Sequence, residues 1–341
     1  MDKIRFIIAL TALSLAACGS GKTNTEKDQY KKILNVSYDV SRDFFKAYNP
    51  LFIEHFRKNH PHIDLHIQQS HGGSSKQAMS VANGLPADVV TMNQTSDIDL
   101  LKQRGLVKSD WAQRLPNNAV PFSSVTVFLV RKGNPQQIYD WTDLARDNVQ
   151  VVFANPKTSG NGRYAFLGAY GYGLKANNGN EADAKNFMRK LLNNVPMFEN
   201  GSRAATTSFT QRQIGDVLIT LENEANFVSR HLAPDQFDIV YPSYTVEAQT
   251  PVAVVDSVAE KKDSEAISKE YLAFLWSKPA QKLAAELYFR PSDKSILSAN
   301  HADFPDLETF RPDETLGAWP HIMQKFFADG SMFDELTTTA K

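Results

Sequence analysis

The sequence predicts an α/β protein of two domains, each folded around its own sheet. Three observations carry this. The chain has 341 residues, more than one hydrophobic core ordinarily serves. Short β-branched runs alternate with helical stretches, the pattern of strand–helix units. Three passages from an extended or turn segment into a helix are rich in Gly and Ser: SHGGSSKQA at 70–78, NPKTSGNGRY at 155–164 and NGSRAATT at 200–207.

The N-terminal stretch is read first. Lys3 and Arg5 precede an apolar run over 6–17 that is too short to span a bilayer and reads as a secretion signal. It ends Leu15-Ala16-Ala17-Cys18, which looks like a bacterial lipobox, and Cys18 is the only cysteine. Residues 1–17 are therefore expected to be cleaved, and Cys18 to be lipidated. Residues 18–32 are polar and aperiodic, a tether. The GSGKT within it is no nucleotide-binding loop. The glycine that motif needs five residues before Gly21 is Ala16, and no strand precedes it.

Residues 33–38 read as the first strand and 43–58 as a helix with a break or kink at Pro50. Residues 62–68 alternate, with Ile63, Leu65 and Ile67 inward. A turn at 70–75 leads into a helix over 76–82, and 87–91 is a short strand. A second unit opens with the strand 123–130. It continues through an apolar run at 149–154, a helix at 182–193 and strands at 216–220 and 237–240. The strand 251–255 and helical segments near 262–276 and 278–288 return to the first unit. The expected division is 33–121 plus 247–341 for one lobe and 122–246 for the other.

Composition excludes some functions. Apolar residues make up 42% and charged residues 22%, so the chain folds as a globular protein. Its formal charge is −1. Removing 1–17 takes away Lys3, Arg5 and Asp2 and leaves 35 basic and 37 acidic residues. Nothing there suits nucleic acid. Any bound anion must be held by local geometry. Each Gly/Ser-rich turn can aim unpaired first-turn N–H groups from the positive end of a helix dipole. One such turn is weak evidence; three suggest convergence on an oxyanion.

The stretches NVSYDVSR (35–42), QSHGGSSKQA (69–78), LPADVVT (85–91), FLVRKGNP (128–135), NPKTSGNGR (155–163) and IGDVLITLENEA (214–225) resemble the sulfate- and thiosulfate-binding proteins of bacterial ABC importers. The resemblance runs from about residue 33 to near the C-terminus. It implies a type II, two-lobed periplasmic binding fold, two mixed-sheet domains joined by a hinge with the anion in the cleft. Carried over by position, it implies that the Ser74 N–H, the Ser159 hydroxyl and the N–H groups of Gly160, Asn161 and Ser202 face the anion. Arg203, next in the motif, is placed with them as an anion-binding residue, with Asp39 and Ser75 in support. It further implies a monomer outside the cytoplasmic membrane that needs no cofactor or metal and delivers its anion to an ABC permease.

Two departures stand out. The family pattern often has Ala at the position of Gly162, read as a small change. Sulfate-type members carry a tryptophan donor where Leu221 stands. Thiosulfate-type members resemble the chain more closely and need not have it, so sulfate and thiosulfate both remain open.

Taken alone, SHGGSS is a plain turn, and Ser159 alone is a helix cap. His55, His60, His62, His66 and His71 cluster; His62 and His66 share a strand face with Asp64, a zinc-like spacing, read here as a solvated outer face. No G-x-S-x-G elbow surrounds Ser159, and no paired carboxylates lie near the turns, so no catalytic residue is assigned. A different tetrahedral oxyanion, or a surface adhesin, is the alternative reading.

Overall fold

In the computed structural model residues 29–338 are described. The signal stretch, Cys18 and the GSGKT segment lie outside them. The strands are β1 (Gln29–Tyr38), β2 (Ile63–Gly72), β3 (Val89–Thr91), β4 (Phe122–Arg131), β5 (Val151–Val152), β6 (Val217–Leu221), β7 (Phe237–Val240), β8 (Thr245–Gln249), β9 (Val252–Val254), β10 (Arg290–Pro291) and β11 (Thr309–Phe310).

The first sheet has the order β2-β1-β3-β9. β1 runs parallel to β2 and β3, and β9 runs antiparallel to β3. Because helices cover both faces, residues 35–38 of β1 are buried without alternation. β1 starts at Gln29, so the last four residues of the expected tether, 29–32, are already strand. The helix Arg42–Asn59 runs through Pro50 without a break. Phe44, Phe45, Tyr48, Phe52 and Phe56 form a buried stripe along it. Burial of that stripe outweighs the cost of one missing N–H donor.

The second sheet has the order β11-β8-β4-β6-β5, with β7 and β10 also pairing with β4. β4 spans it. Ser123–Val125 pair with β8, and residues 126–130 pair with β6. Both sheets mix parallel and antiparallel neighbours, as a two-lobed binding fold requires. Chain crosses between them at 92–121, again at 250–251, and a third time before β10. At the paired crossings Met92 N–H donates to the Pro251 carbonyl at 2.9 Å.

The division of the chain differs from expectation: residues 247–249 of β8 and 290–291 of β10 also lie on the second sheet. Residues 247–341 were assigned whole to the first lobe, yet 309–338 cover the second. β11 extends β8. Phe166 of the helix Gly160–Ala176 meets Phe326, Phe327 and Phe333 edge-on. Lys157 pairs with Asp334 at 2.7 Å. The aromatic spacing of the tail matches an apolar face of the second lobe, which chain order alone does not reveal.

Candidate functional site

The three Gly/Ser-rich turns meet where the lobes face each other. The first lobe supplies the end of β1 and the start of the helix Ser74–Ala82. The second supplies the starts of the helices Gly160–Ala176 and Ser202–Thr210. The approach is so close that side chains are excluded. A Cβ on Gly73 would lie 2.4 Å from the Thr158 carbonyl oxygen, and one on Gly201 would lie 2.8 Å from an Asp39 carboxylate oxygen.

Each predicted residue has a definite place. Ser74 donates its hydroxyl to Asp97 at 2.6 Å and accepts from the Asn93 N–H at 3.2 Å. Its own N–H, at the first helical position, has no carbonyl partner within the helix. Ser75 follows it, and its hydroxyl is buried without a protein partner. Ser159 caps its helix by accepting from Gly162 N–H at 3.4 Å, and its hydroxyl lies 3.3 Å from that of Ser202. The cap leaves Gly160 and Asn161 at the first two helical positions, with N–H groups beyond the reach of the helix's own carbonyls. Gly162 proves tightly placed: a Cβ there would lie 2.2 Å from the Ala154 carbonyl oxygen. The exchange with Ala is therefore not a small one in this packing.

Asp39 straddles the cleft. It is 7% exposed and accepts from its neighbour Val40 and from Arg203 N–H of the other lobe, both at 3.0 Å. Burial pushes its carboxyl above the usual range, while the N–H groups of Arg203, Val40 and Ser202 pull it back.

Arg203 was expected on the anion. Its guanidinium is instead engaged by Asp43 at 2.9 Å and Glu224 at 3.2 Å, and its N–H by Asp39. It stands behind the site as a tie between lobes. Glu224, which also accepts from Thr206 at 2.8 Å, is pushed up to about 7 by burial despite the neighbouring Arg203. Leu221 ends β6, is 1% exposed and offers no donor.

A second set of residues was not singled out from the sequence. Gln94 donates to the Gly160 carbonyl at 3.0 Å, and Asn93 donates to the Asn161 side-chain oxygen at 2.6 Å. Arg163 is 5% exposed and reaches Gln94 at 3.0 Å, Asp97 at 3.3 Å and the Pro156 carbonyl at 3.0 Å. First-lobe residues thus clasp the opening turn of a second-lobe helix. Their signal was the polar run Asn93–Asp97 just after β3. Ligands of open α/β sheets gather beyond the carboxyl ends of parallel strands.

Of the clustered histidines, His71 belongs to the first turn, at the end of β2, and the others precede it in the chain. His66 pairs with Asp64 at 3.1 Å and His60 with Glu270 at 2.9 Å, while His55 stacks on Phe274. Of the cations in the turns, Lys157, Arg163 and Arg203 already hold carboxylates, and Lys76 is exposed. What the turns offer a guest is neutral donors.

The sequence model of the bacterial extracellular solute-binding proteins matches residues 38–290. A thiosulfate-binding protein of Pseudomonas aeruginosa is 51% identical over 332 residues, covering 97% of this chain and 98% of the relative. A sulfate-binding protein of Salmonella typhimurium is 44% identical over 306 residues, covering 90% and 93%. Among solved structures, the sulfate-binding protein SubI from Mycobacterium tuberculosis superposes with a TM-score of 0.78 at 30% identity, covering 87% of this chain and 99% of that one.

Proposed function

The chain belongs to the bacterial extracellular solute-binding proteins, within the sulfate- and thiosulfate-binding group, and from that premise we propose the following reading of its site. The protein captures sulfate, thiosulfate or both outside the cytoplasm and hands the anion to an ABC importer. It is a binding protein, as its relatives are, and not an enzyme.

The observation that carries the reading is the meeting of helix starts from both lobes around neutral donors. The donors are the N–H groups of Ser74, Gly160, Asn161 and Ser202 and the Ser159 hydroxyl. Sulfate is a dianion at neutral pH and only accepts hydrogen bonds, so an all-donor site suits it. Stripping it of water costs tens of kcal/mol in the Born limit. Charge-assisted hydrogen bonds return ~1.5–3 kcal/mol each. Roughly five to seven of them, with the dipoles of the converging helices, offset that cost. No cation need touch the guest.

The two lobes close over the anion and open to release it. Asp39 and Arg203 support the site by tying the closed lobes rather than by contact. Leu221 offers no indole donor, which favours thiosulfate alongside sulfate. In the cell the protein is a monomer held at the membrane through lipidated Cys18. Competition calorimetry with sulfate, thiosulfate, molybdate and phosphate tests the assignment. Sulfate or thiosulfate should displace the other two; preference for phosphate would reject it.

A further inference from the structure

We propose that the side-chain amide of Asn161 donates a hydrogen bond to the bound anion through Nδ2 and enforces the choice of a fully deprotonated guest. This deepens the anion-binding reading above and rests on it.

Asn161 is the second residue of the helix Gly160–Ala176 and is 6% exposed. Its two amide atoms have different fates. Oδ1 accepts from Asn93 Nδ2 of the other lobe at 2.6 Å. Nδ2 is buried and has no hydrogen-bond partner in the protein. A buried NH2 group without an acceptor is costly. Asn161 follows the proposed anion donor Gly160, and its partner Asn93 donates its main-chain N–H to the Ser74 hydroxyl at 3.2 Å; beside these donors the missing acceptor is the ligand.

The planar amide makes the assignment specific. With Oδ1 fixed by Asn93, the orientation of Nδ2 is fixed too. Exchanging O and N in both amides would keep the bond between them but turn a lone-pair oxygen towards the guest. Asn93 Oδ1 is likewise buried without a partner, and a dianion, which only accepts, suits the orientation in which Nδ2 rather than that oxygen faces the guest. A protonated oxyanion such as hydrogen phosphate carries an O–H that would profit from an acceptor instead. A donor here therefore penalises it.

The test is calorimetric titration of the whole protein with sulfate, thiosulfate and phosphate at neutral pH. Asn161→Asp keeps an oxygen for Asn93 and replaces the donor with an acceptor, and a carboxylate suits a helix first turn. We expect at least a ~100-fold loss for sulfate and thiosulfate, with phosphate changing far less. Asn161→Gly keeps the main-chain N–H and should lose ~10-fold or more for sulfate and thiosulfate. Asn93→Ala removes the same bond between lobes but leaves Nδ2, and should lose less than Asn161→Gly. Unchanged affinity in either Asn161 variant overturns the proposal. So does an equal loss for all three anions in Asn161→Asp, or an equal loss in Asn93→Ala and Asn161→Gly. Wild-type protein that binds none of the three would overturn the underlying reading, and this inference with it.

Discussion

Gly73→Ala separates closure of the cleft from folding. Gly73 has φ −55° and ψ 130°, which any L residue adopts. Within its own lobe the exchange removes only chain entropy of the unfolded state, a gain of ~0.4–1 kcal/mol. Across the cleft the new Cβ would lie 2.4 Å from the Thr158 carbonyl oxygen and 3.2 Å from that of Asn200. Both are main-chain atoms and cannot swing aside. Relieving the contact requires the lobes to part by roughly 1 Å. Two bonds between lobes, Arg203 N–H to Asp39 and Gln94 to the Gly160 carbonyl, each stand at 3.0 Å and would pass beyond hydrogen-bonding range. Losing both, at ~1–3 kcal/mol each, costs about 2–6 kcal/mol. Anion affinity should then fall roughly 30- to 20,000-fold. Calorimetry with sulfate and thiosulfate measures this, and thermal unfolding without anion is the control. Weakened binding with an unchanged or raised unligated midpoint is expected. Wild-type affinity would refute the contact, and with it the closed arrangement of the turns.

Three further outcomes follow from the same contacts. Arg163→Met strips the cation from buried Asp97 in the closed state; removing one partner of such a pair costs ~3–5 kcal/mol, so anion affinity should fall at least ~100-fold. Titrations that show less than a tenfold change would deny that the pair spans the cleft. Closure sets Glu224 beside Asp39 and Asp43 of the first lobe, with Arg203 and Thr206 also facing it, and burial pushes it up to about 7. A carboxyl raised in the closed state takes up a proton on closing between the ordinary carboxylate range and about 7. Affinity should therefore strengthen as pH falls from 8 to 5, with a ceiling of roughly 70-fold over that range, and Glu224→Gln should flatten the profile; affinity rising with pH would reverse the sign and reject this linkage. Phe166→Ala opens a cavity beneath Phe326, Phe327 and Phe333 and should lower unfolding stability by ~3–5 kcal/mol. Urea denaturation with an unmoved midpoint would detach the tail from the second lobe.

Much of this fold was legible because it is written in local pattern. The strand at 237–240 and the helix near 182–193 fall within a residue of β7 and Glu181–Asn193. The Ser159 cap and the glycines of the three turns were readable because a helix start needs those residue types. What escaped depends on contact between distant segments. Asn93, Gln94 and Asp97 look like an ordinary polar loop until Gly160, Asn161 and Arg163 arrive from the other lobe. Arg203 follows the motif that suggested it, yet Asp43 and Glu224, far apart in the chain, claim its charge. Pro50 reads as a break or kink because its neighbours in sequence do not show the aromatic stripe that carries the helix through it. The tail's place on the second lobe is fixed by Phe166, which no periodicity links to Phe333.

A crystal structure with thiosulfate or sulfate bound tests the account most directly. The anion's oxygens should lie about 3 Å from the main-chain nitrogens of Ser74, Gly160, Asn161 and Ser202 and from the Ser159 hydroxyl. An anion found elsewhere, or held chiefly by lysine, arginine or a metal ion, would contradict it.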